Sequence, residues 1–150
     1  MRFDDKIATV LALAADRPDR QAARWRQLVD LLAQQRPEST APGEAAAEAE
    51  AYAWLRETRS AIAPETRSQS ARALAGRTVD PALIAFFAED APSVAAPLIA
   101  GAQLETEAWL SLLPRLGPAA RSLLRHRADL PAEVMAALAA FGPSDFRLDG

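Results

Sequence analysis

Apolar residues in this chain recur every three or four positions, the rhythm of a helix face. Residues 3 to 14 put Ile7, Val10, Leu11 and Ala14 on one such face, with Asp4 or Asp5 near the start, where the helix dipole favours a carboxylate. A second helix is predicted over 17–36. Its stripe is Trp25, Leu28, Val29 and Leu32, at the i, i+3, i+4, i+7 spacing that buries one side of an amphipathic helix. The two are expected to pair as an antiparallel hairpin, residues 1–36, across "DRPD" at 16–19. "PESTAPG", 37–43, then breaks any helix with two prolines and a closing glycine, and reads as a linker.

Beyond it, "EAAAEAEAYAWLRETRSAI" is a helix on propensity alone, with a contact face of Ala47, Ala51, Trp54, Leu55, Thr58 and Ile62. Shorter helices follow, starting at Pro64, Pro92 and Pro118. Each places proline in the first turn, where its missing N–H costs nothing because that donor has no partner anyway. Asp80 is expected to cap a further helix with Pro81 in its first turn. No alternating β-branched run interrupts the series, so the predicted class is all-α.

The chain also resembles itself. Shifting "DPALIAFFAEDAPSVAAPLIAGAQL" by about 26 residues lays Leu83 on Trp109, Phe86 on Leu112, Phe87 on Leu113, Pro92 on Pro118 and Leu98 on Leu124. A second shift carries Leu104 to Leu130, Trp109 to Met135 and Leu112 to Leu138. The helix at Pro64 joins at a slightly longer spacing and sets Arg67 against Arg121, each three residues after its proline. One helix pair per period is the mark of a helical solenoid, in which no unit buries its own apolar face and neighbours must stack. The predicted architecture is an N-terminal helical hairpin (1–36), a linker (37–43), a short HEAT-like helix-pair array or α-solenoid (44–141) and a C-terminal tail or linker (142–150).

Composition narrows the chemistry. Half of the 150 residues are hydrophobic, enough for a sizeable core. The formal charge is −3 and the pI near 5.2, which disfavours a general polyanion binder, and no nucleic-acid partner is expected. There is no cysteine, hence no disulfide, thiolate metal site or cysteine nucleophile, and a single histidine makes zinc a poor fit. No metal and no cofactor is expected. The apolar run "IATVLALAA", 7–15, is about half the length needed to span a bilayer and follows two aspartates, so neither membrane nor signal peptide is read and the expected location is cytoplasmic.

The densest polar stretch is "GPAARSLLRHR", 117–127, with Arg121, Arg125, Arg127 and the only histidine, His126. Ser122, four residues before His126, shares its helical face, yet no orienting carboxylate stands at a comparable spacing, so no catalytic residue is assigned. Glu105 and Glu107 sit in a first helical turn, where carboxylates serve the unpaired N–H groups. Trp25, Trp54 and Trp109 lie on apolar stripes as core anchors. In a stacked pair, Ala120, Leu123, Leu124 and the stem of Arg127 should face inward. Arg121, Arg125 and Ser122 are then expected outside, as the candidate contact with an acidic partner surface.

The "P-x-x-R" helix starts, "LIAFFAEDAPSVAAPLI" and "LLPRLGPAARSLLRHRADLP" resemble an uncharacterised alphaproteobacterial family of HEAT-like helical repeats. From "RFDDKIATVLALAADRPDRQAARWRQLVDLLAQ" to "FGPSDFRL" the chain is similar in texture to the N-terminal region of sphingomonad sensor histidine kinases. That resemblance implies a non-catalytic sensory or regulatory domain acting through its own kinase module, a second copy as a homodimer, or another protein. It implies no enzyme in this chain. "LLRHRAD" puts Arg127 after His126 where a phosphoacceptor needs Glu or Asp, and no glycine-rich phosphate loop occurs. The alternatives are a stand-alone adaptor or a small-ligand-sensing repeat domain; a HEAT-like nucleic-acid-binding enzyme ranks below both.

Overall fold

The computed structural model describes residues 3–12, 18–34 and 42–145. These residues form nine α-helices and two 3-10 turns, with no strand among them. In chain order the helices are α1 (Phe3–Ala12), α2 (Pro18–Gln34), α3 (Pro42–Thr58), α4 (Pro64–Leu74), α5 (Pro81–Ala88), α6 (Pro92–Gly101), α7 (Thr106–Leu112), α8 (Pro118–Arg125) and α9 (Ala132–Asp145). The 3-10 turns, Arg59–Ala61 and Leu113–Arg115, close α3 and α7. The fold is all-α, and six of the helices begin on a proline, so the sequence itself writes the starts.

Two compact units divide the chain, Met1–Ser70 and Ala71–Gly150. In the first, α1, α2 and α3 each pack against the other two. Ile7 from α1, Trp25, Leu28 and Leu32 from α2, and Ala51 and Leu55 from α3 are all fully buried there. The indole N–H of Trp25 donates to Ser70 Oγ at 3.2 Å, which meets the polar cost of burying that ring. The predicted boundary at 37–43 is therefore corrected. The helix after it completes the core of the two before it, because an isolated hairpin leaves its apolar stripe exposed. Of the linker, Pro42 and Gly43 open α3 and residues 37–41 lie outside the described residues. Of the C-terminal tail, 142–145 continue α9, and 146–150 lie outside the described residues.

The second unit carries the repeat. α5 packs on α7 and α7 on α9, while α6 packs on α8, giving two layers joined where α5 packs on α6 and α8 on α9. Most apolar positions matched by the sequence shift share their burial, although Leu104 is half-buried where Leu130 is buried. Leu83 and Trp109, Phe86 and Leu112, Phe87 and Leu113, and Leu98 and Leu124 are all at most 1% exposed. Leu138 continues the series, and Met135 is half-buried at the end of the array. α5 is covered on all sides, with Leu83 through Phe87 consecutively buried and the two phenylalanine rings meeting edge-on at 5.2 Å. Asp80 caps this helix as expected, its Oδ1 accepting from the Ala82 N–H at 2.8 Å.

One glycine is required by its backbone. Gly76 follows α4 with φ of 81°, and its N–H donates to the Gly101 carbonyl at 2.9 Å, tying the end of α4 to the end of α6.

Candidate partner-contact site

α8 places the 117–127 stretch, and its geometry departs from the outward arrangement that periodicity suggests. Arg121 is buried, 8% exposed. Its Nη1 donates to the carbonyl of Leu113 at 3.2 Å and to that of Leu116, and its guanidinium lies over the Phe141 ring, 4.4 Å from the centroid. The Leu113 carbonyl already accepts from the Leu116 N–H at 3.2 Å, the bond that closes the 3-10 turn, so the guanidinium adds a second donor there and supplies one to the Leu116 carbonyl just after the turn. Arg67 repeats the arrangement, with Nη1 donating to Arg59 O at 3.0 Å and Ile62 O at 2.6 Å, across the other 3-10 turn. Ala95, at the equivalent place in α6, is buried without such a bond, and no 3-10 turn precedes it. The arginine accompanies the turn, and this is why the repeat does not demand charge at every copy.

The rest of the cluster is similarly engaged. Arg125 is half-buried, and its Nη2 donates to the Leu138 carbonyl of α9 at 2.9 Å. Arg127 turns inward, as expected of its stem, but carries its head group with it. Nη1 donates to Ile99 O at 3.0 Å and Ala102 O at 2.9 Å at the C-terminal end of α6, where a cation also suits the helix dipole. Nε and Nη2 hold Asp129 in a fork at 2.9 and 2.7 Å, and the Trp109 ring lies 5.5 Å from the guanidinium carbon. The hydrogen bonds from Arg127 hold the exposed Asp129 carboxyl below its ordinary value.

The expected outward placement of Arg121 and Arg125 is thus corrected. Half of α8 is core, and a residue four positions from another on that half follows it inward. Ser122 is half-buried, and Arg115 and His126 are exposed. His126 and Ser122 do meet, through the serine's backbone. The histidine Nδ1 lies 2.8 Å from the Ser122 carbonyl, so it carries the proton and donates, while the hydroxyl takes no part. Asp129, the nearest carboxylate in sequence, is taken by Arg127. Glu105 stands at the N-cap of α7 without a side-chain bond and Glu107 in its first turn, both exposed. Trp25 and Trp109 are buried anchors, and Trp54 is half-exposed.

Sequence reasoning passed over Arg24. It is 3% exposed in α2, donates from Nε to the Val10 carbonyl of α1 at 2.6 Å, and stacks over Trp54 at 5.3 Å. Its signal was legible: Arg24 precedes Leu28 by four positions and therefore shares the apolar face. No helix among the described residues is long and apolar enough to cross a membrane, and no group of three or more metal-ligating side chains occurs among them. No protein-family model, curated protein or solved structure matches the chain.

Proposed function

We propose that this chain is a non-catalytic regulatory domain that works by protein contact in the cytoplasm, and that it serves a sensor histidine kinase. The observation that carries the first part is the use made of the basic cluster. Arg67, Arg121 and Arg127 donate to backbone carbonyls that end or join helices, and Arg125 donates to the Leu138 carbonyl within the neighbouring α9, so all four are engaged in holding helices together. Residues so engaged offer little to a phosphate backbone, which counts against nucleic-acid binding. A stack of helix pairs presents its outer helices and loops as a binding surface. On the 117–127 stretch and the turn before it, the exposed polar side chains are Arg115 and His126, with Ser122 half-buried beside them.

The kinase context rests on the sequence resemblance. Sequencing the full-length gene product beyond Gly150, and adding the domain to any kinase core encoded there, tests it. A histidine kinase core whose autophosphorylation rate changes with the domain supports the proposal, and a product with no kinase core overturns it.

A further inference from the structure

We propose that Arg20 and Arg24, with Gln27, form a binding site for a small oxyanion, a carboxylate or a phosphate, on one face of α2. The described residues lining the cavity there are Arg20, Ala23, Arg24 and Gln27, at the spacing of a single helix face, and its volume is about 260 Å³. This inference goes beyond the regulatory reading and holds or fails without it.

Two positive charges stand close together here. Arg20 and Arg24 stand four residues apart, where like charges destabilise a helix. Arg24 is held below its ordinary value, first by burial and then by the positive charge of Arg20. Elsewhere in the chain a buried arginine is used up by the fold, as Arg121 is. Arg24 commits Nε to Val10 O and its ring face to Trp54, and these two contacts fix the plane of the guanidinium. Among the described residues neither Arg24 nor Arg20 has a carboxylate partner. Asp30, on the same helix, instead accepts from Gln34 Nε2 at 2.9 Å.

A buried guanidinium with a fixed plane, a second guanidinium at the rim and an amide beside them are complementary to an oxyanion. The guanidinium fork matches two oxygens of a carboxylate or phosphate, and the anion relieves the repulsion between the two arginines. The methyl group of Ala23 and the volume leave room for a short apolar body on a carboxylate.

Isothermal titration calorimetry on the chain tests this, with inorganic phosphate in one arm and propionate in the other, at constant ionic strength set by chloride. Saturable one-site binding of at least one of them is expected, and the arm that binds identifies the anion. Arg20 is exposed, so Arg20→Gln should leave the helical circular dichroism and Tm as in the wild type while weakening binding about tenfold or more, the scale of one lost charge-assisted hydrogen bond. Arg24→Lys, which keeps charge and loses the fork, should weaken it too. Heats indistinguishable from chloride in both arms, or binding undiminished in Arg20→Gln, would overturn the site.

Discussion

Arg67 and Arg121 make the same pair of bonds, each donating from Nη1 to the carbonyls eight and five residues before it. Both stand three residues after a proline that opens a helix, and in both a 3-10 turn has just ended the helix before. The shared motif is therefore a structural clamp on a helix–turn–helix joint.

Arg121→Met should destabilise the chain by about 1–3 kcal/mol, because the Leu116 carbonyl loses its guanidinium donor while the Leu113 carbonyl keeps only the Leu116 N–H. Arg121→Glu should cost at least as much, since a carboxylate would face the same carbonyls without a partner. Urea denaturation reads this as a lower midpoint at unchanged slope, and the exposed Arg115→Glu, within about 0.5 kcal/mol of wild type, is the control. Wild-type stability in Arg121→Glu would show that the clamp carries no weight.

Gly76→Ala should cost about 1–2 kcal/mol from its positive φ alone, since nothing lies within 4 Å of the added Cβ. Gly101→Ala acts by crowding: its Cβ would lie 3.1 Å from that of Ala75, so the turn after α4 must move away from α6. Thermal melts should show both losses. In native-state hydrogen exchange, protection of the Gly76 amide should fall more than that of α9 in the Gly101 variant.

The Arg127–Asp129 pair should show in acid. A carboxyl whose folded value lies below its ordinary 3.8 adds stability above that value and loses it as pH falls through the lower, folded one. The difference in Tm between wild type and Asp129→Asn should therefore be constant near neutrality and shrink as pH drops below about 4. A difference that stays constant through that range would show that the pair does not contribute.

Incubation of the isolated chain with labelled ATP should leave His126 unlabelled. Its Nδ1 donates to the Ser122 carbonyl, and Arg127, next in sequence, is engaged with Asp129 and α6. Label that vanishes in His126→Ala and persists in Ser122→Ala would refute this.

Helix existence, helix starts and the 26-residue repeat were legible in the sequence, because they depend on local rules. Proline at a first turn, Asp80 at a cap and apolar residues at three- and four-residue spacing act within a turn or two of themselves. Leu83, Trp109, Phe86 and Leu112 are buried where the repeat placed them. Tertiary structure decided the division into units and the fate of each arginine. Whether α3 joins α1 and α2 depends on which apolar faces meet, and a proline–glycine break marks a turn without saying what packs across it. Whether Arg121, Arg125 and Arg127 face solvent depends on carbonyls of residues 113, 116, 138, 99 and 102, exposed at the ends of other elements or on a neighbouring helix. Helical periodicity records which residues share a face. A long side chain that is charged only at its tip can lie on the apolar face when a distant backbone oxygen takes its hydrogen, and only the packed chain brings that oxygen into reach.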